Sequence, residues 1–481
     1  MKISETFKLG KTQFELDFVD INLEEDIPLF LDPYFIGQCP SPLAISSRDS
    51  IYSFFQLLLT YLRTKKEDKA RELFSNLHEP NETCLGMSSG TPQGRGVGGK
   101  DFEKIFASLL KSKAVKTGIV EDLEDFRLFV DNFDKDKLSD MTTNIIRMQL
   151  LSYTINQCKL HGISLQSNVP TGYFWDKKTQ SWRNEYSDYL IINSKKYLLV
   201  PKRFVSYSDQ YTPQKYTQHF ILNFLQNENL RLNTALVQVK RDKKGKIIKK
   251  FVTKKSIRTS LGHISKEWLA DFTEKHPIVF KDFKTRSKDS LHIISSEELS
   301  NASIFRVVDY LKKQLDSTVP GPDDATIYHR IVTSILHLVF YPELTSPILE
   351  QEIHEGRKRI DLRFDNSADK GFFYRLSSRM PAQFVFVECK NYSRDIKNPE
   401  LDQISGRFGP SRGKFGFILC RSIQDYDLFL KRCSDTYKDD RGLIIPLIDE
   451  DLKNLLDYAV NNNYHGIDDY IQNLFTKIVF D

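Results

Sequence analysis

Two short stretches decide how the carboxy-terminal part of the chain folds: Arg359-Ile-Asp-Leu-Arg-Phe364 and Phe384-Val-Phe-Val-Glu-Cys-Lys390. The second begins with an apolar run, which is typical of a strand buried on both faces of a sheet. Side chains alternate along a strand, so Glu388 and Lys390 point to the same face. An acid and a base therefore share one face at the point where a core strand ends.

The segments around these stretches alternate between helix and strand patterns. The predicted elements are a helix at 325–340, strands at 348–353, 359–364 and 384–390, a helix from about Pro399, a strand at 415–420, a helix at 423–437 and a strand at 443–448. The order is α-β-β-β-α-β with additions. It predicts an α/β domain.

A second carboxylate, Asp361, occupies a comparable place on the neighbouring strand and is expected to lie beside Glu388. Two carboxylates, with a carbonyl and waters, suit Mg²⁺, a hard ion that prefers oxygen ligands. Lys390 would then hold or deprotonate a metal-bound water and offset charge in the transition state. The alternative is a structural ion pair at a strand end.

These residues and this order of elements resemble the PD-(D/E)xK nuclease superfamily, with its restriction-endonuclease-like fold, in particular the Mrr-like and resolvase-like members. The resemblance implies that Asp361 and Glu388 bind the metal and that Lys390 assists the attacking water. It also implies a catalytic role for Gln403, which matches a glutamine of some branches. Mg²⁺ would be the cofactor, and Mn²⁺ is expected to substitute.

One position departs from the superfamily pattern. Many Mrr-like and resolvase-like members carry a glutamate in the first helix, where this chain has His329. Glu350 and Glu352 are nearby substitutes for a third acidic ligand. The departure favours a rival hypothesis, a catalytically inactive nuclease-fold protein that acts as a nucleic-acid-binding or assembly module.

The length of 481 residues, with 40% hydrophobic and 28% charged residues, indicates a globular protein of two or three domains. Two prolines flank a glycine within 317–324, which predicts a domain boundary there. It separates an α+β amino-terminal region at 1–316, for nucleic-acid binding, sensing or partner contacts, from a nuclease-like domain at 320–481. In the first region the patterns predict helices at 51–63, 101–113 and 141–160, and paired strands at 189–200.

Positive charge is concentrated in one segment. The whole chain carries +5, but ten Lys and Arg residues with a single opposing acid, Asp242, lie within 239–258. This pattern predicts a basic hairpin that turns at Lys244 and Gly245 and tracks a nucleic-acid backbone. Solvated surface charge is the alternative. The residues predicted to contact nucleic acid are Lys243, Lys244, Lys249 and Lys250, and those predicted to anchor the hairpin are Ile247, Ile248, Phe251 and Val252.

Other cations are expected near the candidate site and could contact phosphates. They are Arg407, Arg412 and Lys414 in one loop, and Arg357, Lys358 and Arg359 at a strand turn. A further stretch, Gly94-Arg-Gly-Val-Gly-Gly-Lys100, has the spacing of a phosphate-binding loop. It lacks the Ser or Thr that should follow the lysine and the apolar strand that should precede it. A nucleotide-binding switch is therefore the weakest of the three hypotheses.

The remaining patterns concern location and partners. No apolar run approaches the roughly 20 residues of a membrane span, no secretory signal is visible, and six isolated cysteines form no metal or disulfide pattern. We therefore expect a cytoplasmic protein with no membrane partner. The resemblance to nucleases implies a nucleic-acid substrate, for which we expect DNA, although the sequence alone leaves RNA open. A large region beside a nuclease domain is typical of restriction or anti-phage defence effectors, so a homodimer and a separately encoded ATPase or other defence-system partner are expected.

Overall fold

The computed structural model describes residues 1–86, 99–289, 291–353 and 358–480, with the backbone alone at 99–102, 350–353 and 358–359. It is a mixed α/β structure whose largest sheet has five strands and lies in the carboxy-terminal region. No described helix combines the length and the hydropathy that are needed to cross a membrane.

The amino-terminal region is mainly helical and carries only small sheets. Its helices are α1 Ile3–Thr6, α2 Pro33–Gln38, α3 Pro42–Arg63, α4 Glu67–Phe74, α5 Gly99–Lys111, α6 Lys113–Thr117, α7 Asp125–Phe129, α8 Lys135–Ile145, α9 Arg147–His161, α10 Pro213–Lys215, α11 Leu222–Arg231, α12 Lys254–Leu261, α13 Lys266–Lys275, α14 Pro277–Asp289, α15 Ser296–Leu299 and α16 Ile304–Ser317. Its strands are β1 Phe30–Leu31, β2 Gln166–Pro170, β3 Phe174–Asp176, β4 Ser181–Arg183, β5 Tyr186–Ile192, β6 Lys195–Tyr197, β7 Val205–Ser206, β8 Gln238–Arg241 and β9 Ile247–Phe251. A 3-10 turn at Lys202–Phe204 and a π-helical segment at Tyr216–Ile221 complete it.

All three predicted helices of this region have different bounds in the structure. The helix predicted at 101–113 is α5, which ends at Lys111 and is followed by α6. Helix α3 begins at Pro42, because Ser41 caps it by accepting a hydrogen bond from the backbone N–H of Ala44 at 3.1 Å. The stretch predicted as one helix at 141–160 is two helices, α8 and α9, that meet at Ile146. The paired strands predicted at 189–200 are confirmed, since β5 and β6 are antiparallel.

The carboxy-terminal region follows the predicted order closely. Its helices are α17 Ala325–Phe340, α18 Gly371–Ser377, α19 Asn398–Ser405, α20 Tyr426–Lys438, α21 Asp449–Val460 and α22 Tyr464–Phe480. Its strands are β10 Leu344–Ile353, β11 Lys358–Asn366, β12 Phe384–Lys390, β13 Phe415–Cys420 and β14 Leu443–Ile448. The bounds of α17, β12, β13 and β14 are those that the sequence predicts.

The five strands lie in the order β10-β11-β12-β13-β14. The β10–β11 and β11–β12 pairs are antiparallel, whereas β12–β13 and β13–β14 are parallel. Strand β12 is therefore the junction between the two halves of the sheet. It is buried along almost its whole length, as its apolar run predicts.

One hydrophobic core surrounds this sheet, and it takes in residues from before the predicted boundary at 317–324. Helix α16 packs against α17 and α21, and Phe14, only 3% exposed, belongs to the same core. Polar contacts also join the regions: Lys11 donates a hydrogen bond to Ser334, and the Gln157 side-chain amide donates one to the carbonyl of Pro347 at 3.2 Å. The carboxy-terminal core is thus completed by the first residues of the chain.

Candidate active site

The antiparallel register of β11 and β12 brings the two predicted metal ligands together. Leu362 pairs with Val387, so the next residues outward are Asp361 and Glu388. The Asp361 carboxylate accepts a hydrogen bond from the backbone N–H of Cys389 at 3.2 Å, which fixes it against the end of β12. Glu388 is 1% exposed, whereas Asp361 is half-buried. The carboxylate of Glu388 is therefore deep in the sheet, whereas that of Asp361 is partly exposed to solvent.

Two cations neutralise the buried Glu388. Lys390 Nζ donates a hydrogen bond to Glu388 Oε1 at 2.7 Å, and the guanidinium of Arg407 donates one to Oε2. Lys390 and Arg407 are each only 7% exposed. Because a buried charge is costly unless it is paired, this ion triad explains how Glu388 is accommodated inside the sheet.

Gln403 also reaches the site, as the sequence predicts. Helix α19 follows β12 and starts at a proline-containing first turn, with the Glu400 side chain accepting from the backbone N–H of Lys397 at 2.8 Å. This places Gln403 Oε1 2.9 Å from Lys390 Nζ, which donates the hydrogen bond. The lysine is thus held by a carboxylate on one side and an amide on the other.

The titration behaviour of the acid and the base follows from these contacts. Burial, and next the Asp361 carboxylate, raise the pKa of Glu388 to about 7, against the opposing effects of Lys390 and Arg407. Burial alone would lower the pKa of Lys390, but the Glu388 carboxylate raises it above its usual value. Glu388 therefore exchanges a proton near neutral pH while Lys390 stays charged.

The position of the missing helix acid is occupied by a donor rather than an acceptor. On α17, His329 Nε2 donates a hydrogen bond to the carbonyl oxygen of Cys389 at 3.2 Å. The side chains of Glu350 and Glu352, the substitutes that the sequence suggests, lie outside the described part of the structure. Within the described part, no group of three or more His, Cys, Asp and Glu side chains is arranged to hold a metal ion.

The donor set at the end of β12 nonetheless fits Mg²⁺ chemically. Asp361, Glu388 and the carbonyl of Cys389 offer oxygen atoms, which are the ligands this ion prefers. Each oxygen of Glu388 already accepts one hydrogen bond from a cation, so a metal at this carboxylate would bind through the remaining lone pairs or in place of one cation.

The three loop cations that the sequence assigns to phosphates have different surroundings. Arg407 is buried in the site, and Arg412 donates from Nε to the carbonyl of Arg407 at 3.2 Å. Lys414 forms an ion pair with Asp440 at 2.8 Å. Contact with phosphates stays a prediction for all three. Arg357 and the side chains of Lys358 and Arg359 lie outside the described structure.

The predicted basic hairpin is present. Strands β8 and β9 pair antiparallel, and the Asp242 side chain accepts from the backbone N–H groups of Lys244 and Lys246 at 2.9 and 2.8 Å. Gly245 has a φ of +79°, which favours glycine at this turn. The lysines predicted to bind nucleic acid are all exposed: Lys243, Lys244, Lys249 and Lys250.

The predicted anchoring of the hairpin is wrong for two residues. Ile247 and Ile248 are 46% and 60% exposed, in a hairpin that forms a separate two-stranded sheet. Val252, which is 3% exposed, does anchor it by packing with Leu222 and Ile257. The outer part of the hairpin therefore exposes both lysines and apolar side chains.

The glycine-rich stretch 94–100 falls almost entirely outside the described residues, which resume with the backbone of α5. Nucleotide binding there stays a prediction.

The sequence did not indicate the observed roles of two residues of the site, Arg407 and His329. The sequence assigns Arg407 to phosphates, whereas in the structure it contacts Glu388 from the turn that follows α19, which ends at Ser405. His329 was noted only as the place of a missing acid. Its partner is a backbone carbonyl, for which a sequence gives no signal.

Comparison with known proteins gives one match. Residues 8–212 match the model of a family described as Domain of unknown function (DUF8370). No curated protein and no solved structure matches the chain. The matched stretch covers less than half of the chain and ends before α10, so the candidate active site and the basic hairpin lie beyond it.

Proposed function

We propose that the protein is a metal-dependent nuclease that hydrolyses phosphodiester bonds, with DNA as its substrate and Mg²⁺ as its cofactor. One observation carries this proposal: Asp361, Glu388, Lys390 and Gln403 meet at the end of the strand that joins the two halves of the sheet. The strand order, together with α17 and α19, is consistent with a restriction-endonuclease-like fold.

Each side chain has a distinct task in this proposal. A bound Mg²⁺ would polarise the scissile phosphate and lower the pKa of an attacking water. Asp361 and Glu388 would hold that ion with their carboxylate oxygens. Lys390, which stays protonated, would orient the water, whose oxygen forms the new bond to phosphorus as the bond to the leaving oxygen breaks. The proton that the water loses would pass through solvent to the leaving oxygen. Gln403 keeps Lys390 in place through its 2.9 Å hydrogen bond.

Arg407 has a second task in the same proposal. Its guanidinium donates a hydrogen bond to Glu388 Oε2. Its other N–H groups could contact a phosphate oxygen, for which a fork of donors is suited. The ammonium group of Lys390 and this guanidinium would then offset the charge that develops on the phosphorus centre.

The test is cleavage of supercoiled plasmid and single-stranded DNA with Mg²⁺, Mn²⁺, Ca²⁺ or EDTA. We expect cleavage with Mg²⁺ and Mn²⁺ and binding without cleavage with Ca²⁺, whose geometry is looser. Glu388→Gln should lose both metal binding and cleavage, and Lys390→Met should keep the metal and lose cleavage. The matched controls are Glu450→Gln and Lys438→Met, which change exposed side chains elsewhere in the domain. Equal cleavage by all four variants would show that the site is misassigned.

The second candidate is a nuclease-fold module that binds nucleic acid without cutting it. His329 in place of the helix acid, and the pairing of both Glu388 oxygens with cations, favour it. DNA binding without cleavage, combined with no calorimetric signal for Mn²⁺, would establish this candidate over the first.

The wider setting is part of the first proposal. All six cysteines are buried free thiols, which suits the reducing cytoplasm, where a defence nuclease meets incoming DNA. A homodimer would supply two sites for double-strand cleavage, and a separately encoded ATPase or other defence partner would act as the trigger. Cleavage assays therefore need to include lysate from cells that carry the neighbouring genes.

A further inference from the structure

A polar cavity, separate from the candidate active site, lies where the first residues of the chain meet α17. Its volume is about 180 Å³. The lining residues that matter here are the cations Lys11 and Arg330, the acids Glu15 and Asp17, and the side chains of His161, Thr333 and His337. Three of them, Arg330, Thr333 and His337, are on α17, and the others come from the amino-terminal region.

Positive charge is crowded into this cavity. Burial lowers the pKa of Lys11, which the nearby Glu15 opposes and the nearby Arg330 reinforces. Burial, followed by the charges of Lys11 and Arg330, lowers the pKa of His161 to about 3. Within the described part of the chain Arg330 has no ion-pair partner. The cavity thus holds two cations, of which Arg330 is the one without an ion-pair partner among the described residues, together with the acids Glu15 and Asp17.

The two acids of the lining, Glu15 and Asp17, already accept hydrogen bonds within the protein. The Glu15 carboxylate accepts from the backbone N–H and the hydroxyl of Thr12 at 3.0 and 3.3 Å. Asp17 accepts from the hydroxyl of Tyr153 at 2.6 Å. Burial is the main cause that raises the pKa of both acids.

A buried imidazole with unused hydrogen-bonding capacity completes the lining. His337 is 1% exposed, and neither of its ring nitrogens makes a hydrogen bond of normal geometry. The charged and polar groups that face it are Asp17, whose Oδ1 is 3.8 Å from Nδ1, Lys202, Lys11, His161 and the backbone of Leu16. A neutral imidazole carries one N–H, and the Leu16 backbone and Asp17 already face it, so a ligand in the cavity would compete with them for this donor.

We propose that this cavity binds a small oxyanion of the phosphate class, held by Lys11 and Arg330 with support from Thr333 and His337. The guanidinium fork of Arg330 suits a tetrahedral oxyanion. The volume is below the roughly 300 Å³ typical of sites for whole organic ligands, so it suits a phosphate group and not a nucleoside. The phosphate comes either free or as the terminal group of a nucleotide that remains outside.

The same helix connects this cavity with the candidate active site. Arg330 directly follows His329, which donates to the carbonyl between Glu388 and Lys390. A phosphate on Arg330 therefore acts on a helix that contacts β12. This consequence, a change in cleavage rate when the cavity is filled, rests on the proposed nuclease function, whereas the binding itself does not.

The test is isothermal titration calorimetry of the full chain with inorganic phosphate and, separately, with ATP in the absence of divalent metal, at constant ionic strength. We expect one site per chain for at least one probe, and binding that is at least about tenfold weaker in Arg330→Gln and in Lys11→Gln, since each loses a charged hydrogen bond. Arg330 is exposed enough for its variant to fold, and circular dichroism checks both.

Arg286→Gln is the matched control, because it removes one positive charge at a distant exposed site. Binding of phosphate with the expected loss in the variants supports a free-phosphate site, and binding of ATP alone with the same loss supports a terminal phosphate. No binding of either probe up to about 10 mM, or binding that Arg330→Gln and Lys11→Gln leave at the control value, would overturn the proposal. An absence of nuclease activity would leave this calorimetric result unchanged.

Discussion

Divalent metal should bind the candidate active site about tenfold more weakly at about pH 6 than at about pH 8. Burial first, and Asp361 second, raise the pKa of Glu388 to about 7. A carboxyl group with this pKa is about nine-tenths ionised at the higher pH and about one-tenth ionised at the lower. Because only the carboxylate binds the metal, the proton competes with it and the affinity follows the ionised fraction.

The assay is calorimetric titration with Mn²⁺ at three pH values, in pairs of buffers that differ in ionisation enthalpy. At a pH equal to the pKa, about half a proton should be released for each ion bound. In Arg407→Leu the midpoint should move to higher pH, because Arg407 lowers the pKa of Glu388. The control is Glu343→Gln: burial also raises the pKa of Glu343 to about 7, but this residue borders another cavity, so its variant should keep the parent profile.

An Mn²⁺ affinity that is the same at all three pH values, with no proton released, would refute the assignment of Glu388 as a metal ligand that titrates near pH 7. The assignment is equally refuted if Glu343→Gln removes the pH dependence and Glu388→Gln leaves metal binding intact.

Three further predictions follow from the same structure. Burial raises the pKa of Glu388 from 4.5 in the unfolded chain to about 7 in the folded, metal-free protein. This group therefore stabilises the folded state below about pH 4.5, and the stabilisation is lost as the pH rises through about 7. Urea unfolding should show that the free energy of unfolding of the parent falls by up to about 3 kcal/mol relative to Glu388→Gln across that range. Replacing the four hairpin lysines by alanine should weaken DNA binding and flatten the slope of log affinity against log salt by up to about 0.9 for each lost contact; an unchanged slope would show that they are only solvated. Phe417→Ala should lower the free energy of unfolding by about 3 to 5 kcal/mol because Phe417 is fully buried, whereas Ile248→Ala on the exposed hairpin should change it by less than about 0.5 kcal/mol.

The sequence predicted the centre of the sheet well because its strands are buried runs with sharp ends. Strands β12, β13 and β14 have apolar side chains along nearly their whole length, which restricts where each can start and stop. Strand β10 begins four residues before its predicted start, since the register shifts between Thr345 and Ile348 and Ser346 has a φ of +51°. Such an irregularity breaks the alternation on which a strand prediction depends.

The candidate site was predictable only where its residues share a strand or a motif. The spacing of Glu388 and Lys390 fixes their common face, and the antiparallel register supplies Asp361. The choice between Glu388 and a phosphate as the partner of Arg407 depends on how α19 ends, which a single sequence does not specify. The cavity lined by Lys11 and Arg330 was not predictable, because it joins segments more than 300 positions apart.

The hydrogen bond between Lys11 and Ser334 has a consequence for how the chain matures on the ribosome. The two residues are 323 positions apart, so at about 5 to 20 residues per second some 15 to 65 s pass between their synthesis. Phe14, which belongs to the carboxy-terminal core, waits equally long for its neighbours. During this interval Lys11 and Phe14 lack these carboxy-terminal partners, whereas Leu16 and Phe18 can already pack in the amino-terminal core. Lys11 and Phe14 are therefore synthesised early but complete their contacts late, after most of the chain has been made.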